Sequence, residues 1–152
     1  MTRVNSAIKP IYLTDEHLLA EHREIKRIPN DLLKRPLATT RLDIPEKFCL
    51  SHGHVRFFRN KLKFLYRRYR DIRAECKRRN FKVDDYSEPF KILEEIGVGQ
   101  NEYTPTFEEH ALLCERIAER IRNSSKSTFH YFGYPITKNE AINLMTNPNK
   151  YE

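Results

Sequence analysis

The clearest helical pattern of the chain lies in HVRFFRNKLKFLYRRYRDIRAECKRRNF, residues 54–81. Its apolar side chains recur at alternating steps of four and three, which keeps them on one stripe of a helix that faces a core. The spacing predicts one long helix. Because the chain has four glycines in 152 residues and little β-branched alternation, we expect an all-α, compact single domain of about three main helices with long loops. The stripe consists of Phe58, Leu62, Leu65, Tyr69, Ile72 and Cys76.

From Arg59 onward, the remaining positions of this helix carry ten cationic side chains against two acidic ones, Asp71 and Glu75. Such a run is often only a solvated face, but ten cations exceed what solvation requires. An electrostatic footprint for phosphates is therefore an equally good interpretation. The net charge of +7 suits a polyanionic partner and is also compatible with simple solubility. The ten cations are Arg59, Lys61, Lys63, Arg67, Arg68, Arg70, Arg73, Lys77, Arg78 and Arg79.

A first helix is predicted from Thr14 or Asp15, either of which can cap it, to Ile28. Pro29 follows and marks a break or kink. Residues 32–48 contain two prolines and four cationic side chains, so we expect a surface loop there.

A third helix is predicted from the capping box formed by Thr106 and Glu109 to about Arg122. A short helix is expected before it, at residues 90–96. An aromatic cluster, FHYFGYP, follows at residues 129–135. The chain then ends in a polar tail, and we assign no role to residues 135–152. The predicted buried stripe of the third helix is Phe107, Ala111, Cys114, Ala118 and Ile121.

Length and composition exclude several classes of protein. A chain of 152 residues suits one domain, residues 1–152. The three cysteines are Cys49, Cys76 and Cys114, which lack CxxC spacing, so neither disulfides nor a zinc site are expected. No apolar run approaches the roughly 18 residues of a membrane span, and we expect no secretory signal. We expect a soluble, cytoplasmic monomer.

The opening MTRVN offers a possible nucleophile. Removal of the initiator methionine is expected before a small residue, which leaves a free α-amine on Thr2 beside Arg3. Since an α-amine has a pKa near ~8, roughly one tenth of it is neutral at pH 7. Nearby arginines lower that pKa further by repulsion between like charges. Such an amine can form an imine at a sugar C1′.

The first helix places a carboxylate between two guanidinium groups. Its residues His17, Ala20, Arg23, Glu24 and Arg27 fall within an arc of roughly 120°. An ordinary surface ion-pair stripe is the commoner explanation of such a pattern. The alternative is a site in which Glu24 serves the neighbouring amine.

Two other groups of residues are weaker candidates. His52 and His54 flank Gly53 at a spacing seen in metal sites, but without a suitable Cys, Asp or Glu nearby, so a helix entry or a phosphate contact is favoured. The FHYFGYP cluster can stack on nucleic-acid bases, although closing a small core is the more frequent role. The sequence predicts no metal and no cofactor.

Four blocks of the chain resemble one family. They are MTRVN at residues 1–5, HLLAEHREIKR at 17–27, the stretch from GHVRFF to KVDD at 53–85, and YFGYP at 131–135. In that order they are similar to the phage and viral pyrimidine dimer DNA glycosylases, the T4 endonuclease V-like family. The resemblance implies an all-α, single-domain enzyme that incises double-stranded DNA at cyclobutane pyrimidine dimers produced by ultraviolet light.

The resemblance also implies roles for particular residues. The family's nucleophile, the amine of the residue after the initiator methionine, corresponds to Thr2, and its catalytic glutamate corresponds to Glu24 in AEHRE. In the third helix the family has two basic residues one turn apart. Alignment on CERIA places Arg116 at one position and Leu112 at the other, so that either the register is wrong or one phosphate contact is missing. The family's DNA-binding arginines and histidine correspond to Arg3, Arg23, Arg27 and His17.

The favoured function is a DNA repair glycosylase with abasic-site lyase activity on pyrimidine dimers. It acts through an imine with the Thr2 α-amine, followed by β-elimination. Two alternatives remain open at this point. One is a non-catalytic basic helical DNA-binding protein, and the other is a glycosylase and lyase for a different lesion, such as an abasic site or an oxidised pyrimidine.

Overall fold

A long central helix organises the molecule, and the computed structural model describes residues 3–35 and 44–146. The N-terminal segment, residues 3–13, crosses this helix and includes a 3-10 turn. In chain order the helices and strands are α1 (Asp15–Ile25), α2 (Arg27–Lys34), α3 (His54–Phe57), α4 (Leu62–Arg78), α5 (Glu88–Ile96), α6 (Phe107–Asn123), β1 (Thr128–Tyr131), β2 (Tyr134–Thr137) and α7 (Lys138–Thr146).

The stripe predicted for the central helix is confirmed, since its six residues are all almost completely buried. The single helix predicted over residues 54–81 is wrong in one respect, because the chain forms α3, a 3-10 turn and then α4. At Lys61 the backbone leaves the helical region, with φ −120° and ψ 42°. There the Leu62 N–H donates to the carbonyl of Gly99 at 2.8 Å, so a distant loop takes the place of the helical acceptor.

The expectation of an all-α fold is wrong in detail, because β1 and β2 form an antiparallel hairpin. Tyr131 pairs with Tyr134, and the two residues between them have positive φ, 52° at Phe132 and 81° at Gly133. Two positive φ angles are typical of a tight hairpin turn whose twist matches its strands. The fold is mainly helical with one small sheet. The sequence did not predict the two strands, because strands of four residues are too short to show a clear alternation of apolar and polar residues.

The first predicted helix ends earlier than expected. It stops at Ile25, and α2 continues through Pro29 after a break at Lys26. Pro29 is the third residue of α2, where a backbone N–H has no acceptor within the helix, so the ring is tolerated. The predicted loop at residues 32–48 is helical to Lys34, and its residues 36–43 lie outside the described residues.

The capping box that begins α6 is confirmed, but its predicted stripe is partly wrong. Phe107 is 82% exposed and Ala111 is exposed, because the helix is rotated so that neighbouring positions face the core. The prediction of a polar tail is also wrong, because residues 138–146 form α7, which has three buried side chains. Residues 147–152 lie outside the described residues. The buried face of α6 consists of Leu113, Cys114, Ile117, Ala118 and Ile121.

Two hydrophobic clusters lie along α4. Leu65 and Tyr69 belong to the cluster with α2, α3 and α5, whereas Ile72 and Cys76 belong to the cluster with α6, α7 and β1. The central helix thus joins two small cores.

Among the described residues, no helix combines the length and the apolar character that crossing a bilayer requires.

Arg68 of α4 and Arg79, the residue directly after α4, point inward, which corrects the view of all ten cations as one footprint. Arg68 is 5% exposed, and its Nε donates to Glu21 at 2.7 Å while its Nη1 donates to the Ile8 carbonyl at 2.6 Å. The side chain of Arg79 is fully buried and pairs with Asp15 and Glu75, both at 2.9 Å. These guanidinium groups tie α4 to α1 and to the N-terminal segment.

Replacing Arg68 with methionine is expected to destabilise the fold by about 3–5 kcal/mol, because Glu21 becomes a buried charge without its cation. The neighbouring Arg67→Met change is the control, since Arg67 pairs with Glu102 at the surface and contributes at most ~1 kcal/mol. Urea unfolding followed by circular dichroism measures both. Equal losses in the two variants would contradict this account of the core.

Candidate functional site

A cavity of about 250 Å³ lies between the N-terminal segment, α1 and α6. It brings together four residues predicted from the sequence, which come from three separate elements. Thr2, the predicted nucleophile, directly precedes Arg3 in the chain and lies outside the described residues. The cavity is lined by Arg3, Asn5, His17, Ala20, Glu21, Glu24, Arg116, Ile117 and Arg120.

The two carboxylates of the cavity differ in their partners. Glu21 is 1% exposed and accepts hydrogen bonds from Arg68 and from the Asn5 amide, at 2.9 Å in the latter case. Glu24 keeps 20% of its side chain exposed, and the Nη1 of Arg27 lies 3.8 Å from its Oε1. Glu21 is therefore committed to the buried network, whereas Glu24 faces the cavity with a partner that solvent also reaches.

The cavity is electropositive. Arg3 is 8% exposed, and burial lowers the pKa of its guanidinium below the ordinary value. Repulsion from Arg120 and Arg116 lowers that pKa further, and attraction to Glu24 partly offsets these effects. Three cations thus share one cavity, which is the electrostatic setting that an anionic ligand requires.

His17 lines the cavity as a neutral imidazole. Burial, together with the charges of Arg120 and Lys126, lowers its pKa to about 4. The Thr14 hydroxyl, which caps α1, lies 2.6 Å from the His17 Nδ1, and the ring stacks on Phe129 with 6.0 Å between ring centres. At neutral pH this side chain offers hydrogen bonds and no charge.

Arg120 is the lining residue that sequence reasoning missed. It follows Arg116 by one helical turn, so α6 presents a pair of guanidinium groups to the cavity. Leu112, the other position of the alignment on CERIA, is 47% exposed and does not line this cavity. The spacing in ERIAER, residues 115–120, was the available signal.

Arg23 does not line this cavity, so the residues of the predicted α1 arc do not all lie at one site. Successive residues of a helix are rotated by about 100°, and Arg23 lines a neighbouring groove with Lys82 and Tyr86. His22 is almost fully buried beside that groove, with its ring centre 5.0 Å from that of Tyr86 and 5.7 Å from that of Tyr69. Desolvation is the main reason that the pKa of His22 is lowered.

His54 anchors the start of the described chain. The Val4 N–H donates to its Nε2 at 2.9 Å, and its Nδ1–H donates to the Cys49 carbonyl, also at 2.9 Å. Burial lowers the His54 pKa to about 4, the Cys49 carbonyl opposes that change, and Arg3 adds to it. Both ring nitrogens are thereby engaged in positioning backbone. Gly53 before it has no space for a Cβ, which would lie 2.8 Å from the Cys49 Sγ.

In residues 3–35 and 44–146, no three side chains of His, Cys, Asp or Glu converge as ligands of a metal ion do. The aromatic cluster contributes Phe129 to the core, as the core-closing interpretation predicts for that residue, whereas base stacking stays a prediction. Phe129 is buried, and the Tyr131 hydroxyl donates to the Ile11 carbonyl at 2.8 Å. Tyr134 differs, since it is 75% exposed.

These features define a mainly helical protein with a basic cavity that contains one accessible carboxylate. A model of the pyrimidine dimer DNA glycosylase family matches residues 1–88, more than half of the 152 residues. The chain belongs to this family of DNA repair glycosylases. The match includes the segments that carry Arg3, His17 and Glu24, and it ends before α6 with Arg116 and Arg120.

Stability is expected to fall in acid because His17 and His54 both have pKa values of about 4, against 6.5 for an ordinary histidine. Between pH 6.5 and 4 the unfolded chain binds these protons and the folded chain does not, so the free energy of unfolding falls as the pH falls. For His54 the difference corresponds to about 3 kcal/mol, present above pH 6.5 and lost towards pH 4.

The His54→Phe variant removes one of these titrations and the acceptor for Val4. We expect it to be less stable at pH 7.5 and to show a shallower pH dependence, measured by urea unfolding over a pH series. The His52→Asn variant is the control, because His52 is exposed on the other side of Gly53. A wild-type slope in the His54 variant would contradict the assignment.

Proposed function

We propose that the protein is a bifunctional enzyme that cleaves the glycosidic bond of the 5′ nucleotide in cyclobutane pyrimidine dimers and then breaks the strand at the resulting abasic site. The observation that carries this proposal is the cavity in which Arg3, the residue after Thr2, lies with Glu24, Arg116 and Arg120. Membership of the pyrimidine dimer DNA glycosylase family supports the choice of substrate.

The α-amine of Thr2, freed by removal of Met1, is the nucleophile. Its neutral nitrogen forms a bond to C1′, and the glycosidic electron pair leaves with the pyrimidine, which takes up a proton. Loss of the amine protons and opening of the sugar ring give an imine. The positive field of Arg3 and its cationic neighbours favours the uncharged amine, because a second charge there is repelled.

Glu24 stabilises the positive charge that develops on the sugar and on the attacking nitrogen. Its accessible carboxylate can also accept and return protons during base displacement and during the later β-elimination, in which a C2′ proton is removed and the 3′ phosphate departs. Glu21 cannot share this work, because both of its oxygens accept hydrogen bonds from Arg68.

Phosphate binding is assigned to arginines around the cavity and the neighbouring groove. Guanidinium groups suit phosphate oxygens because they can donate two parallel hydrogen bonds. His17 contributes neutral hydrogen bonding, given its low pKa. Recognition depends on how easily the duplex deforms at a lesion, since expelling a base costs a few kcal/mol and least where stacking is already weakened. The assigned arginines are Arg3, Arg23, Arg27, Arg116 and Arg120.

The decisive experiment compares nicking of irradiated, abasic and undamaged plasmid by the purified protein. Strand breaks in irradiated plasmid that increase with ultraviolet dose are expected. Cleavage of abasic plasmid alone would replace the dimer with another lesion. Binding to all three plasmids without cleavage would mean a non-catalytic DNA-binding protein.

Reduction with borohydride is expected to trap a covalent adduct between the protein and damaged DNA, because an imine is reduced to a stable amine. Thr2→Gln retains Met1 and should abolish the adduct, whereas Thr2→Ser is still trimmed and should preserve it. Gel electrophoresis measures the adduct, and mass spectrometry establishes whether Met1 is present. An adduct in the protein that retains Met1 would exclude the Thr2 amine as nucleophile.

The Glu24→Gln variant should bind damaged duplex within about twofold of wild type and lose roughly 10²–10⁴ in incision rate, because it keeps the shape and removes the charge. Single-turnover incision and fluorescence anisotropy give the two quantities. The matched control is Glu119→Gln, an exposed acid on α6 that does not line the cavity. Normal cleavage by Glu24→Gln would remove Glu24 from the mechanism.

A further inference from the structure

The ten cations of the central stretch have different surroundings. Arg68 and Arg79 are buried in ion pairs, and Lys61 donates to the Phe57 carbonyl at 2.8 Å. Three others lie 3.6 Å or less from a carboxylate, namely Arg59 from Asp31, Arg67 from Glu102 and Arg78 from Glu75. Of the remaining four, three line one cavity: Arg70, Arg73 and Lys77.

This second cavity has a volume of about 280 Å³ and shares no lining residue with the cavity of Glu24. Lys91 of α5 adds a fourth cation to its wall, and Asp85 is the carboxylate among its lining residues. The cavity is therefore a strongly positive hollow outside the candidate active site.

The wall of the cavity is held in place by its own contacts. The Ser87 N–H donates to the Asp85 carboxylate at 2.9 Å, and the Tyr69 hydroxyl accepts from the Tyr86 N–H at 2.6 Å. The guanidinium of Arg70 lies over the Tyr66 ring, 4.4 Å from its centre. A planar cation stacked in this way has fewer orientations to lose when it binds an anion.

Asp85 neutralises only part of the positive charge that lines this cavity. The closest approach of Arg73 to Asp85 is 4.0 Å, and the Arg73 Nε has no hydrogen-bond partner among the described residues. The exposed ends of Arg70, Lys77 and Lys91 add three more positive charges. An oxyanion with several acceptor oxygens is the ligand class that this charge and these donors suit.

We propose that this cavity is a second DNA-backbone site, in which Arg70, Arg73, Lys77 and Lys91 bind phosphodiesters of undamaged duplex beyond the lesion. Its position supports this assignment, because Tyr69 and Tyr86 connect it through His22 to the groove that contains Arg23. The inference rests on the proposed binding of duplex DNA and adds a role in holding and scanning the substrate.

The test is the salt dependence of binding to undamaged duplex for an Arg70→Ala/Lys77→Ala variant. Two lost phosphate contacts should reduce the slope of log affinity against log salt by about 1.8, since each contact contributes roughly 0.9. The control variant, Lys63→Ala/Lys47→Ala, removes the same charge from exposed positions outside the cavity and should keep the wild-type slope. Circular dichroism verifies that both fold.

Three outcomes separate this site from the proposed enzyme activity. A wild-type protein that does not incise damaged duplex at saturation would refute the enzyme proposal alone and would leave the second site to be judged by the binding slopes. Equal slopes in the Arg70/Lys77 and control variants would overturn the second site. Binding of inorganic phosphate that depends on Arg70, with an unchanged duplex slope, would make the cavity a site for a free anion and overturn its assignment to DNA.

Discussion

The guanidinium group of Arg79 is buried where four segments of the chain meet. It donates to the Leu13 and Pro10 carbonyls, pairs with Asp15 and lies 4.8 Å from the centre of the Tyr131 ring. One charge thus joins the N-terminal segment, α1, α4 and the hairpin. A buried charge is costly unless its hydrogen bonds are satisfied, so these partners must all be in place together.

The sequence predicted the buried face of α4 well, that of α6 only in part, and the relations between helices poorly. The apolar stripe of α4 and the cap of α6 follow from helical periodicity and local capping chemistry, which act within a few residues. Whether an arginine beside that stripe turns inward depends on a carboxylate from a distant segment, as Glu21 shows for Arg68. The hairpin and α7 were missed because each is short and becomes stable only by packing on α6 or α1.

The candidate site shows the same division. Arg3, His17, Glu24 and Arg116 were found from patterns and resemblance, and the structure brings them to one cavity. Arg120 was missed because the register of α6 could not be fixed by alignment alone. The position of Arg23 follows from the rotation of α1 against its neighbours, which periodicity within one helix does not determine. The neighbouring groove and the second cavity extend the basic surface beyond Glu24.

The hydrogen bond between Val4 and His54 limits how far the chain in front of it can reach. Val4 is fully buried, and the proposed nucleophile, the Thr2 amine, belongs to the residue two positions before it. Because each residue spans at most about 3.6 Å, chain geometry alone limits how far two residues can extend from a fixed backbone amide. A tether this short raises the local concentration of the proposed nucleophile. A reactant confined in this way has already lost much of the translational and rotational entropy that a bimolecular encounter would cost.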